Sequence, residues 1–327
     1  MIRSLYFSNG QFRTDLEVEE FSKALQDPQG LLWVDFEETP SETDEPVLRK
    51  VFGFHPLAVD DALQETHIPK LDDWGKYLYI VLQAITFIRE DCSLDALELD
   101  VFLGKNYIVT HHDLPIPAVT RVWQACQRDE RYLNMDADHF LYKLIDESVV
   151  DYMITVEGID EEIELVEDEI FDKPSPKIVQ RLFALKRATL HLRRALSPLR
   201  EVLNKLARDN FEVVDAKDRI YFRDIYDHLV RLHDISESLR DLVGGALDTY
   251  LSVINNRMND IMRTLTVITT LFMPISFIAG FFGMNFFQPV SAPLANWTRI
   301  LPFIVSSMIM ILLPAGMFIW IRRRGWL

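Results

Sequence analysis

The stretch DAKDRIYFRDIYDHLVRLHDISESLRDLVGGALDTYLSVINNRMNDIMRTLTVITTLFMPISFIAGFFGMN, residues 215–285, decides the fold. It holds no proline before Pro274. Ile225, Leu229, Leu232, Leu239, Leu242, Ala246, Tyr250, Ile254, Met258 and Ile261 follow one another at helical steps. Such spacing marks the seam of a helix packed along its length. From Thr264 the charges stop, and the next ~21 residues are long enough to cross a bilayer. Read as one helix, the stretch has about 70 residues and a length on the order of 100 Å. No globular core needs a rod of that length. A rod joining a folded domain to a membrane does.

A second stripe runs along the same helix: Asp248, Ser252, Asn255, Asn259, Met262, Thr266, Thr269, Met273, Ser276 and Gly280. It is mostly polar or small. Polar groups facing lipid are costly, so this face should meet protein or water. Two readings stay open. Small residues let two membrane helices pack closely, or the stripe lines a water-filled path. Its continuation into Asn259, Asn255 and Asp248 favours the path. One copy offers one stripe and cannot enclose a pore, so copies must assemble around it.

The formal net charge of −16 hides a division. After Asp260 the only charged residues are Arg263, Arg299 and Arg322 to Arg324, which leaves −21 for residues 1–260. An acidic first part argues against a nucleic-acid partner and for attracting cations. Cys92 and Cys126 form no disulfide framework and point to a reducing compartment. Arg3 and Arg13 interrupt any apolar run at the N-terminus, so no signal peptide is expected.

Residues 1–145 read as a mixed α/β domain. Leu31 to Phe36, Tyr77 to Leu82 and Ile85 to Ile88 are expected strands. Leu97 to Leu103, the turn Gly104-Lys105-Asn106, and Tyr107 to Thr110 form an expected hairpin. Pro46 to Val51 and Pro56 to Glu65 are expected helices. Residues 146–214 form an acidic helical hairpin, within which Asp160 to Ile170 carries a charged outer face. Pro174 and Pro176 mark its turn, and a bend is expected at Ser197-Pro198. The stalk covers 215–263. The first span is 264–285, the outer loop 286–299, the second span 300–321 and the basic tail 322–327. Arg263 and Arg322 to Arg324 against the single Arg299 place both termini in the cytosol.

Few motifs suggest catalysis. His111 and His112 are neighbours on a strand and point to opposite faces, so they are poor ligands for one ion. His228 and His233 do not share a helix face. With no nucleophile–base pair and no nucleotide-binding glycine pattern, no enzyme and no organic cofactor are expected.

Gly283-Met284-Asn285 closes the first span, after Met273-Pro274-Ile275-Ser276-Phe277-Ile278-Ala279-Gly280. With His55-Pro56-Leu57, the segment Tyr221 to His228 and the terminal Trp326-Leu327, this closely resembles the CorA family of divalent-cation channels, of which ZntB-type zinc transporters are relatives. The resemblance covers nearly the whole chain. It implies an α+β cytosolic domain with a mixed sheet and helices on both faces, a long stalk helix, two transmembrane helices and a homopentamer in the cytoplasmic membrane. It implies that Gly283, Met284 and Asn285 form the selectivity filter. There the Asn285 side-chain carbonyl accepts hydrogen bonds from water around a hydrated Mg²⁺, an ion that dehydrates reluctantly. Without the flanking motif, Asn285 would read as a helix C-cap. Met273, Leu265 and Met262 match the family's hydrophobic gate. Asn259 and Asp248 match polar pore positions, with Asn255, Thr269, Ser276 and Gly280 lining the same face.

The resemblance also gives Asp224 a part in a regulatory divalent-ion site between subunits, with Asp227, Glu90 and Asp91 nearby; read alone, these are solvated carboxylates. Ile88 stands where the family's partner carboxylate aligns. The outer loop, residues 286–299, lacks the acidic residue common in the family. Mg²⁺ is the expected cargo and regulator, with Co²⁺, Ni²⁺ or Zn²⁺ as alternatives. Absence of thiolate and imidazole from the stripe argues against a soft-metal filter. A proton-coupled Zn²⁺ transporter and a non-conducting membrane sensor are the rival readings.

Overall fold

The computed structural model describes residues 1–64, 68–283 and 300–325. It divides into two compact units, Met1–Asp248 and Thr249–Leu327. In the first unit, β1 (Ile2–Ser8), β2 (Gln11–Thr14), α1 (Val18–Ala24) and β3 (Leu31–Glu37) are followed by α2 (Ser41–Pro46), a π-helical turn (Val47–Val51) and α3 (Pro56–Ala62). Then come β4 (Lys70–Asp73), β5 (Leu78–Ile88), β6 (Ser93–Leu103), β7 (Tyr107–His112) and α4 (Pro117–Arg128). The helices α5 (Ala137–Asp172) and α6 (Pro176–Arg208) lead to α7 (Arg219–Gly283), and α8 (Ile300–Arg323) is the last element.

The seven strands form one mixed sheet in the order β2-β1-β3-β7-β6-β5-β4. Among the described strands only the β3–β7 pair is parallel. Alternation along β3 sorts its residues between two cores. Leu32, Val34 and Phe36 join Phe21 of α1, Leu48 of the π turn and Val59 of α3. Trp33 points the other way, against Trp123 of α4 (ring centroids 4.9 Å apart) and Phe140 of α5 (5.0 Å). Helices thus cover both faces of the sheet. The turn between β6 and β7 needs Gly104, because an added Cβ would lie 2.1 Å from the Tyr107 ring.

Several expectations are corrected. β5 is one strand of 11 residues, not two pieces, and pairs with β6 without interruption from Leu78↔Leu103 to Ile88↔Ser93. Backbone pairing passes through Gln83 and Ala84, since the ladder does not depend on side chains. β1 was not expected, because Arg3 breaks its apolar run. In the fold the Arg3 guanidinium is nearly buried, 2.6 Å from Asp35 of β3 and 4.4 Å over the Trp123 ring. The bend expected at Ser197-Pro198 does not end the helix: α6 runs through Pro198 as one element. Glu162 leaves the charged face of α5 and turns inward, 2.5 Å from Arg181 of α6.

α7 starts at Arg219 rather than Asp215. The Asp215 N–H is taken by the Asp138 carboxylate, and the Asp218 N–H by the Asp215 carbonyl, so residues 215–218 form a turn. The buried seam of α7 runs through Phe222, Ile225, Leu229, Leu232, Leu239, Val243, Ala246 and Tyr250. Leu242, expected in it, is 46% exposed. Val243 takes the place because steps of four, three and four keep one face where Leu242 would rotate out by about 100°. Met258 and Ile261 are also exposed.

In the second unit, Val267 and Ile321 alone are buried among the described residues beyond Tyr250. Phe272, Phe277, Leu301, Phe303 and Ile311 stand exposed. α7 and α8 each contain a window long and apolar enough to cross a membrane. Apolar surface on this scale does not stay open to water.

Candidate cation path and carboxylate sites

On an ideal helix the residues Asp248, Asn255, Asn259, Met262, Leu265, Thr269, Met273, Ser276, Gly280 and Gly283 fall within about 120° of arc. α7 is unbroken over all of them. Each is exposed in the single chain. Along this segment the hydroxyls of Thr264, Thr266 and Thr270 donate to the carbonyls of Asp260, Met262 and Thr266, at 2.9, 2.7 and 2.7 Å. Those donors are satisfied within the helix, the arrangement that lets threonine sit in an apolar medium. Nothing lies within 4 Å of a Cβ built on Gly280 or Gly283. The chain's own packing therefore does not require glycine at either position. Gly283 is the last residue of α7. Met284, Asn285 and the outer loop lie outside the described residues.

Asp224 and Asp227 are exposed on the first turns of α7. Glu90 and Asp91 are exposed at the turn between β5 and β6. There the Asp91 carboxylate accepts the Ser93 N–H at 3.0 Å, and bonding to Ser93 holds it below the usual carboxylate range. Arg89 of the same turn pairs with Glu161 of α5. Within one chain, Asp224 acts electrostatically on Tyr142 and Asp146 of α5. Asp146 was not singled out from sequence, where it is one carboxylate in a long acidic helix. It is half buried. Burial pushes its carboxyl up, and the Glu147 and Asp224 charges add to the effect, against Lys143 and His228.

The adjacent histidines do sit on opposite faces. His112 Nε2 lies 3.2 Å from Asp35 on the α4–α5 side. His111 lies on the other side, with Nε2 3.4 Å from Asp44 and Nδ1 3.9 Å from Asp100. Both ring nitrogens of His111 are engaged by carboxylates, which suits a buried charged pair and not a metal ligand.

The chain matches the family model described as CorA-like Mg2+ transporter protein over residues 28–323. It is 33% identical to the cobalt/magnesium transport protein CorA of Thermotoga maritima, across 97% of this chain and 94% of that protein. Its fold is similar to the complete structure of the CorA magnesium transporter from Methanocaldococcus jannaschii, with TM-score 0.83, 23% identity, and coverage of 100% of this chain and 99% of that one. The ZntB cytoplasmic domain of Vibrio parahaemolyticus is similar at TM-score 0.58 and 14% identity, over 79% of this chain and 98% of that domain. At such identities the two structures speak for the fold alone. The family match and the Thermotoga relative reach from the sheet through both membrane-length helices, and on that extent the chain belongs to the CorA family.

Proposed function

We propose that the chain forms a channel for hydrated divalent cations, Mg²⁺ first and Co²⁺ or Ni²⁺ with it, across the cytoplasmic membrane. The observation that carries this reading is the exposed polar face of α7 inside a segment of membrane length. Thr269 and Ser276 in the span face lipid only at a cost, Asn259 and Asn255 continue the same face into the stalk, and one chain gives none of them cover. Assembly of several copies around that face supplies it, and the family resemblance gives five. Asn285 then rings the outer mouth, and Met262, Leu265 and Met273 form the constriction that closes by excluding water. The relative from Thermotoga maritima is named for cobalt and magnesium transport, which supports this choice of ions.

Regulation is read at the carboxylates. Asp224, with Asp227 on the same helix and Asp146 beside it, would share an intracellular Mg²⁺ with Glu90 or Asp91 of a neighbouring copy. Ion loss would let the acidic units repel and the gate loosen. Replacing Asp224 by Lys is expected to weaken the protection from proteolysis that Mg²⁺ gives, shifting the Mg²⁺ midpoint at least tenfold. An unchanged midpoint removes Asp224 from regulation.

The test of the whole reading is ion flux into liposomes carrying the full chain, comparing Mg²⁺, Co²⁺ and Zn²⁺ with and without a pH gradient. Mg²⁺ flux that ignores the pH gradient is expected. Zn²⁺ flux driven by the gradient would instead give the ZntB-like transporter, and no flux a non-conducting membrane sensor.

A further inference from the structure

The residue before α7, Asp218, is buried, with its side chain 3% exposed. Its Oδ1 lies 2.8 Å from His139 Nδ1. Its Oδ2 has no hydrogen-bond partner. That oxygen faces the Lys217 ammonium at 3.9 Å, too far for a hydrogen bond. The same ammonium is hydrogen-bonded to the carboxylate of Asp136, the residue before α5, and lies 3.6 Å from Asp215. Asp138, in the first turn of α5, completes the group. One oxygen each from Asp136, Asp138 and Asp218 lies within 4.8 Å of the other two. A cleft of about 440 Å³, lined by Asp136, His139, Lys217, Asp218 and Tyr221, opens onto these groups.

Acidic residues at helix N-termini are common because they satisfy N–H groups and the dipole. That accounts for Asp138, whose two oxygens accept the N–H groups of His139 at 2.9 Å and Asp215 at 2.8 Å. It leaves the buried Oδ2 of Asp218 unexplained, and a buried acceptor without a donor costs about 1–3 kcal/mol. The Lys217 side chain is 62% exposed. Its ammonium stands between Asp136 and Asp218 at the surface, in reach of water.

We propose that Asp136, Asp138 and Asp218 form a site for a hard divalent cation of Ca²⁺ or Mn²⁺ size, which displaces the Lys217 ammonium on binding. Carboxylate oxygens select such ions over softer metals. Ligands at about 2.3–2.6 Å span up to roughly 5 Å across a Ca²⁺ ion, whereas Mg²⁺, at about 2.0–2.1 Å, needs a tighter set. All three ligands come from one chain, so the site does not depend on the intersubunit carboxylates proposed above. A bound ion would tie the first turn of α5 to the start of α7.

The test counts Mn²⁺ bound to the full chain in detergent by electron paramagnetic resonance, for wild type, Asp218→Asn and Lys217→Met. Wild type is expected to bind one Mn²⁺ per chain that Asp218→Asn loses and that Ca²⁺ displaces before Mg²⁺. Lys217→Met is expected to tighten that Mn²⁺ at least tenfold by removing the competing ammonium. The same Mn²⁺ count and affinity in all three proteins overturns the site. Should Asp218→Asn fail to fold by circular dichroism, Lys217→Met decides alone, since its side chain is exposed and holds no core contact; unchanged affinity there overturns the proposal.

Discussion

Replacing Asn285 by alanine is expected to reduce Mg²⁺ flux into liposomes to background while leaving the oligomer intact. The argument rests on what a hydrated ion can recognise. Mg²⁺ keeps its water shell, so the mouth of the path has to accept hydrogen bonds from that water. A side-chain amide carbonyl accepts such bonds without the tight grip of a carboxylate. Each bond contributes on the order of 1 kcal/mol net. A ring of several copies loses several kcal/mol together, a drop of at least a hundredfold in occupancy. Alanine removes only the amide and leaves the proposed constriction residues Met262, Leu265 and Met273 unchanged. The measurement is stopped-flow with an indicator inside the vesicles, beside size-exclusion of the same preparation. Flux within a few-fold of wild type, with an unchanged oligomer, would remove Asn285 from the filter.

The second large effect is expected in the sheet. Asp44 is fully buried, and neither of its carboxylate oxygens has a hydrogen-bond partner. Its compensation is the His111 ring at 3.4 Å. Asp100, also buried, is shared between His111 and the Tyr79 hydroxyl, the latter at 2.6 Å. Burial lowers the His111 pKa, but Asp100 and Asp44 more than offset it and push it up to about 9. Burial raises Asp100 to about 6, against the bonds to His111 and Tyr79. His111→Leu leaves Asp44 without a counter-charge, a loss of about 3–5 kcal/mol, seen as a fall in Tm on the order of 10 °C. Adding Asp44→Leu to His111→Leu should recover part of the loss. A His111→Leu protein that melts with the wild type would end this account.

The same pair sets a pH dependence. A histidine raised in the fold contributes stability that is complete below its unfolded pKa near 6.5 and lost as pH rises through about 9. Asp100 has the same sign: stability tied to its proton is present below about 3.9 and lost as pH rises through about 6. Asp35 has the opposite sign. Burial raises it, but His112, Arg3 and Thr110 hold it low, so its contribution is lost on acidification. Wild type should therefore melt lower at pH 9 than at pH 6.5, and His111→Leu should flatten that difference.

What sequence made legible was what local chemistry controls. The β6–β7 turn announced itself in Gly104-Lys105-Asn106, and the α5–α6 hairpin in Pro174 and Pro176. The exposed polar face of α7 followed from spacing alone. What stayed hidden depended on partners far along the chain. β1 was missed because Arg3 looks like a breaker until Asp35 lies opposite. Asp44, Asp100 and His111 are unrelated acids and a histidine until the sheet brings them together. Asp146 became visible only through Asp224. Lys217 reads as a surface charge until three carboxylates surround it.

The seam of α7 ends near Tyr250, and the polar stripe begins at Asp248, roughly 150° away around the same axis. The phase between them is set by nothing but residue count. Inserting or deleting one residue between Tyr250 and Asn255 would keep the seam and the stripe from Asn255 onward, drop Asp248 out of the stripe, and turn the two patterns against each other by about 100°. Changes in length are thus forbidden in that short interval while single substitutions there remain tolerable.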